Sequence, residues 1–168
     1  ELLLARRGVN RLDMVSNRRM IEMAFDAGVG GGFCYKTGGT VKVYNMPKGD
    51  REERAKLIVD YIQFLKPLTM WIEKVQGYHG RPSTGHTSFV LGENYGTIVG
   101  ACLAVGTNVV PITPQAWQKT LGLKREKGMS QPDWKRHLKF AAIDMYPPGV
   151  GVTLKNADAL LILEAGLR

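Results

Sequence analysis

Apolar and polar positions follow two periods along this chain, and the change from one to the other outlines its elements. Residues 20–25 form a short apolar run, Met-Ile-Glu-Met-Ala-Phe. It ends in one carboxylate, Asp26, and then breaks into glycine at Gly28, Gly30, Gly31 and Gly32. A run this short, flanked by glycine, predicts a buried strand rather than a helix. A second strand is expected over residues 32–36. Gly38 and Gly39 turn it into a third, Thr40–Asn45, in which Val41, Lys42, Val43 and Tyr44 alternate as on a half-exposed strand. The period then lengthens. Asp50 with Glu53 three residues on is a capping pattern, and Ala55, Ile58, Val59, Ile62 and Leu65 share one helical face until Pro67 ends the helix.

Residues 68–75 read as another buried strand, again with one carboxylate, Glu73. A polar loop is expected over residues 76–88, followed by a helix over 89–105. Gly92, Gly96 and Gly100 recur along one face of that helix. Three helical glycines cost roughly 1 kcal/mol each against alanine, a cost tolerated where another backbone comes close, either the sheet or a second subunit. Asn108–Ile112 is a further strand. Thr113 and Pro114 open a short helix holding Trp117 and Leu121, with Pro at its first position. Residues 122–131 form a basic linker. A helix over 132–145 turns Trp134, Leu138, Ala141 and Ala142 inward, with Lys135, Arg136, His137 and Lys139 mostly outward. Trp117 and Trp134 are expected in the core. The last helix spans about residues 154–166, with Asp158 near its start.

The 168 residues suffice for one domain with a real core. Residues 1–19, with Arg6, Arg7, Arg11, Arg18 and Arg19, are expected to be a basic extension. The domain proper is residues 20–168. The formal net charge of +8 favours a polyanionic partner, nucleic acid first and an acidic membrane surface second. No apolar run is long enough to span a bilayer, and of the two candidates nucleic acid is the expected partner and no membrane is. The first residues have too short an apolar core for a secretory leader. Cys34 and Cys102 sit in apolar segments without a spaced framework, which predicts buried free thiols in a reducing compartment. The expected location is the cytoplasm of a bacterial or phage-infected cell, or a DNA-containing organelle.

Three carboxylates stand within or beside apolar segments: Asp26, Glu73 and Asp158. An ionised carboxylate in such surroundings is costly unless paired. Asp26 alone also fits an Asx-turn leading into a hairpin. Three acids converging from two strands and a helix would instead form an oxygen-ligand cage for Mg²⁺ or Mn²⁺, of the kind that holds metal against a scissile phosphate. His79 and His86 have no cysteine at a spacing that would make a zinc site.

The element order is that of a ribonuclease H-like α/β fold, a mixed five-stranded sheet flanked by helices. Within it the residues resemble the RuvC-like Holliday junction resolvases, especially the phage and plant chloroplast branch. The matching pieces are Phe-Asp-Ala-Gly-Val-Gly-Gly-Gly (25–32), Trp-Ile-Glu-Lys-Val (71–75), Gly-Glu-Asn-Tyr-Gly-Thr-Ile-Val-Gly (92–100), Thr-Pro-Gln-Ala-Trp-Gln-Lys-Thr-Leu-Gly (113–122) and Ala-Asp-Ala-Leu-Leu-Ile (157–162). The resemblance implies a homodimeric, Mg²⁺-dependent endonuclease that cuts branched DNA, four-way junctions, by paired nicks. It implies Asp26, Glu73 and Asp158 as catalytic metal ligands, the helix 89–105 near the dimer interface, and a junction-contacting loop after Glu73. Tyr78, His79 and Arg81 lie in that loop, and Tyr78 could stack on an unpaired base at the junction centre. Lys124, Arg125, Lys127, Lys135 and Arg136 are expected to contact phosphates.

The family usually carries a further acid three or four residues before Asp158, where this chain has Lys155 and Leu154. On a helix, positions 155 and 158 share a face. Lys155 is therefore a candidate for supplying positive charge to the phosphate in place of part of a second ion, and Asn156 for lending the metal a neutral oxygen. The plainer alternative has Thr153 capping the helix, Asn156 supporting that cap, and Lys155 in solvent. Two other functions fit the same fold: a nuclease for RNA–DNA hybrids or flaps, and a nucleic-acid binder that does not cut.

Overall fold

The computed structural model describes residues 20–28, 30–46, 49–74 and 85–168. Its elements are β1 (Glu22–Phe25), β2 (Gly32–Thr37), β3 (Thr40–Asn45), α1 (Arg51–Leu65), β4 (Thr69–Glu73), α2 (Gly85–Ala104), β5 (Asn108–Ile112), α3 (Pro114–Thr120), α4 (Gln131–Met145) and α5 (Ala157–Leu167). The strands form one sheet in the order β3-β2-β1-β4-β5. The pairs β2/β3 and β1/β2 are antiparallel, whereas β1/β4 and β4/β5 are parallel. The hairpin between β2 and β3 closes on Gly38 and Gly39, both at positive φ, as a two-residue loop between right-twisted strands requires.

Strand side chains alternate between two cores. Met23, Phe25, Phe33, Tyr35, Met70 and Ile72 face one side, where they pack under α1 and α2 through Ile58, Ile62, Ile98 and Cys102. Ala24, Cys34 and Trp71 face the other, under α3, α4 and α5. This is the period-two pattern of a sheet covered on both faces. The central helix is α5, whose residues 157–163 are all buried. It lies so close to the sheet that a Cβ at Gly166 would meet the Trp71 ring at 2.4 Å.

The helix ends follow local chemistry. Asp50 accepts a hydrogen bond from the Glu53 amide at 2.9 Å, and Lys66 in the left-handed region closes α1 before Pro67. Thr113 and Ser130 cap α3 and α4 in the same way. The structure corrects the sequence reading at the starts of two helices and narrows it on one helix face. Helix α2 begins at Gly85, inside the stretch expected to be loop. Its glycine face does not lie on the sheet: among the described residues a Cβ at Gly92, Gly96 or Gly100 would meet nothing within 4 Å, and all three are exposed. Helix α5 begins at Ala157 rather than 154, because the Asn156 side chain folds the preceding residues into a turn. Its Oδ1 accepts from the Thr153 amide at 2.7 Å, and its Nδ2 donates to the Gly151 carbonyl at 3.3 Å.

Both cysteines are buried free thiols, and burial pushes both thiols up from their ordinary range. Among the described residues no helix is long and apolar enough to cross a membrane.

Candidate active site

Parallel pairing of β1 with β4 brings Phe25 opposite Ile72, so the chain carries Asp26 and Glu73 out at the same end of adjacent strands. Asp26 stands at the neck of a glycine loop. Its amide donates to the Gly32 carbonyl at 2.9 Å, and its Oδ1 accepts from the Gly28 amide at 3.0 Å. The carboxylate thus makes an Asx-turn and also faces the other acids. Gly31 is required here, since a Cβ would lie 2.4 Å from the Asp26 carbonyl oxygen and 2.7 Å from its Cγ. Asn94 of α2, itself buried, donates to the Ala27 carbonyl at 3.2 Å and ties the loop to that helix.

Glu73 is held by Trp117, whose indole Nε1–H donates to Oε2 at 3.1 Å. Trp117 is core as expected, but its indole also positions a site carboxylate. A buried tryptophan needs an acceptor for its N–H, which was the signal available in the sequence. Asp158, in the first turn of α5, is only 6% exposed. Its Oδ2 pairs with the Lys135 ammonium, while its Oδ1 is buried and has no hydrogen-bond partner among the described residues.

The three acids act on one another. Burial raises the pKa of Asp26 above the usual carboxylate range, and the charge of Asp158 raises it further. Burial likewise pushes Glu73 up to about 7, with Asp26 adding to the effect and the Trp117 hydrogen bond opposing it. Lys135 is the cation that offsets them. Burial works to lower its pKa, but Asp158, Asp26 and Glu73 together raise it above the ordinary lysine value. Lys135 was expected to point outward; instead it reaches from α4 across to α5.

Among the described residues no three Asp, Glu, His or Cys side chains converge into a ready-made metal cage. The chemistry of the donors nevertheless fits a hard divalent cation. They are carboxylates, two of which, Asp26 and Glu73, are raised by burial and by neighbouring acids, and among the described residues Asp158 Oδ1 is buried without a hydrogen-bond partner. Asp26, Glu73 and Asp158 are the residues that would hold it.

The other candidates lie around this centre or away from it. Lys155 is exposed on the turn before α5, so the shared helical face assumed for positions 155 and 158 does not exist. Both polar atoms of the Asn156 side-chain amide are engaged in holding that turn. Lys124, Arg125, Lys127 and Arg136 are exposed. Arg125 folds back on the Met129 carbonyl and Gln131, and Arg136 pairs with Asp133. Lys119, which the sequence reading did not single out, lines a shallow cleft with Lys124 and Arg125. Tyr78, His79 and Arg81 lie outside the described residues, as does the basic segment 1–19.

Two solved structures can be set beside this arrangement. One is Thermus thermophilus RuvC in complex with Holliday junction substrate. It matches with a TM-score of 0.53 at 15% identity, over 87% of this chain and 91% of that one. The other is a structure of Thermus thermophilus RuvC, with a TM-score of 0.51 at 15% identity, over 87% and 92%. The fold is that of RuvC. It is the ribonuclease H-like α/β fold with a mixed five-stranded sheet, covered over nearly the whole length of both chains. At this identity the likeness to RuvC is one of fold. No protein-family model matches the chain, and no curated protein matches it.

Proposed function

We propose that this chain is a metal-dependent, structure-selective DNA endonuclease of the RuvC-like kind, acting on four-way junctions by paired nicks. The observation that carries the reading is that parallel β1 and β4 bring Asp26 and Glu73 out at one end of adjacent strands, with Asp158 on the helix packed across both strands and its charge acting on both acids. A core that needed only packing would not gather three mutually repelling carboxylates. The RuvC fold supports the reading, and so does the net charge of +8. Mg²⁺ or Mn²⁺ bound there would lower the pKa of an attacking water and stabilise charge on the scissile phosphate.

The protein's own contribution is positioning. The Gly28 amide orients Asp26, the Trp117 indole orients Glu73, and the α5 backbone fixes Asp158 against the sheet. Lys135 supplies a cation at the same place, where it can reach a phosphate. The exposed cations Lys119, in the last turn of α3, and Lys124 and Lys127, on the segment linking α3 to α4, would contact duplex arms through their backbones rather than their bases. Paired nicks need two sites related by symmetry. The open face of Gly92, Gly96 and Gly100 is the surface proposed for a second copy. A DNA-containing cytoplasm or organelle is the setting this activity requires.

One observation favours a second reading, a junction binder that does not cut: Lys135 already occupies Asp158, and no cage is preformed among the described residues. A labelled four-way junction separates the two. The wild type is expected to nick it on opposed strands in Mg²⁺, and Asp26→Asn to abolish nicking while binding the junction as well or better. Equal nicking by Asp26→Asn would show that the site is elsewhere. Junction binding without nicking in either Mg²⁺ or Mn²⁺ would establish the second reading.

A further inference from the structure

Lys135 is inserted into a site otherwise built of acids. It lies on α4 between the buried Trp134 and the core position Leu138, so its stem is carried toward α5 rather than into solvent. Its ammonium contacts Asp158 Oδ2, and its charge also acts on Asp26 and Glu73. Yet the pairing is incomplete. Among the described residues Asp158 Oδ1 stays buried and without a hydrogen-bond partner, so one ammonium leaves half of that carboxylate unserved there. Nor is the lysine locked in, since 39% of its side chain remains exposed. A flexible four-carbon stem with three rotatable donors can swing from a carboxylate to a phosphate.

A divalent ion placed among the three acids would need Asp158, and it would repel an ammonium already there. We propose that Lys135 is a built-in counter-cation that keeps the metal site closed. Its ammonium and the divalent ion are alternative occupants of Asp158, and a DNA phosphate opens the site to metal by drawing Lys135 away. The inference rests on the nuclease reading for the identity of metal and phosphate. It adds that metal loading and DNA binding are coupled through one side chain, so that the protein holds metal weakly until DNA arrives.

The experiment is Mn²⁺ binding, followed by the electron paramagnetic resonance signal of the free ion, without DNA. Lys135→Met is expected to bind Mn²⁺ at least about tenfold more tightly than the wild type, within the ordinary range of coupling between two ligands. Lys135→Arg, which keeps the charge, should stay near the wild type. Equal or weaker binding by a Lys135→Met protein that melts like the wild type overturns the proposal. A second measurement uses the wild type alone. The ammonium nitrogen–proton resonance of Lys135, held by Asp158 in metal-free protein, should be lost at saturating Mg²⁺. Its persistence overturns the proposal even if the substituted proteins fail to fold.

The DNA step is read by reciprocity. Junction affinity in Ca²⁺ relative to a chelator, at matched ionic strength, should rise by about 5- to 150-fold in the wild type. It should rise less in Lys135→Met, and equal rises overturn the gating step. None of these readouts depends on strand cleavage. Metal binding that responds to residue 135 in a protein that never nicks a junction would sink the nuclease reading alone. Nicking with metal binding indifferent to residue 135 would sink this inference alone.

Discussion

Replacing Glu73 by glutamine tests the electrostatics of the site without touching its packing. The amide oxygen of the substituted side chain can still accept the Trp117 indole N–H, so the hydrogen bond at 3.1 Å has a replacement acceptor. What disappears is the ability to ionise. In the folded protein burial and the neighbouring Asp26 push Glu73 from 4.5 to about 7. Between those two pH values the unfolded chain has released this proton while the folded protein still holds it. The folded state therefore binds more protons, and stability falls as pH rises through the window, then levels off above about 7. At about 1.4 kcal/mol per pKa unit, the shift corresponds to a loss on the order of 3 kcal/mol at pH 8 relative to pH 4.5.

Glutamine escapes that loss. Metal-free Glu73→Gln is expected to melt near the wild-type temperature at pH 4.5 and about 6–12 °C higher at pH 8, taking 2–4 °C per kcal/mol for a domain of this size. Asp26 is raised in the same direction, so relief of its repulsion adds to the gain. Saturating Mg²⁺ should narrow or reverse the gap. A ligand at a hundred times its Kd stabilises the folded state by about 2.7 kcal/mol, and on the proposed reading the variant would lack one of the carboxylates that hold the metal. The assay is thermal unfolding by circular dichroism across pH 4.5 to 8, with and without Mg²⁺. Parallel pH profiles for the two proteins would refute the claim that these carboxylates repel each other in the fold.

Gly31→Ala should destabilise by about 1–3 kcal/mol, the usual cost of overpacking, because its Cβ would press on the backbone and carboxylate of Asp26. Gly30→Ala, one residue away with nothing among the described residues within 4 Å of a Cβ, should be neutral or slightly stabilising. A thermal melt of the pair checks both, and equal effects would count against the drawn geometry of the loop. Gly96→Leu should leave the monomer as stable as before or up to about 1 kcal/mol more so, since it adds a helix former on an open face. Sedimentation should show any dimer formed across that face to be lost, and a lower melting temperature in a monomeric sample would mean the face is not open.

The fold was legible because period and punctuation agreed. The alternation of residues 41–44, the turn at Gly38 and Gly39, and the cap at Asp50 are local signals, and each element formed within a few residues of where its pattern placed it. The start of α5 was not legible to the residue. Its turn depends on Asn156 reaching back to Thr153 and Gly151, and an asparagine can equally cap, turn or bind. The glycine face of α2 carried two packing readings, and only the placement of the helix over β5 and α1 shows which side of it is left open.

The same limit separates what the site revealed in advance from what it did not. Asp26, Glu73 and Asp158 could be singled out because each interrupts an apolar stretch, and a lone acid in such a place calls for a reason. Lys135 interrupts nothing. It stands among Arg136, His137 and Lys139 in a helix whose polar positions are mostly solvated. Only the packing of α4 against α5 turns that one lysine toward Asp158 and leaves Arg136 paired with Asp133 outside. A charge that completes a site across 23 positions of sequence is set by how two helices meet, and no periodicity within either helix encodes it. Lys155 shows the converse. Its spacing from Asp158 was suggestive only on the assumption of continuous helix, and the turn that ends at Asn156 removes that assumption and leaves the lysine in solvent. The cation of this site is therefore identified by tertiary contact, which is why its substitution, rather than that of Lys155, is the informative one.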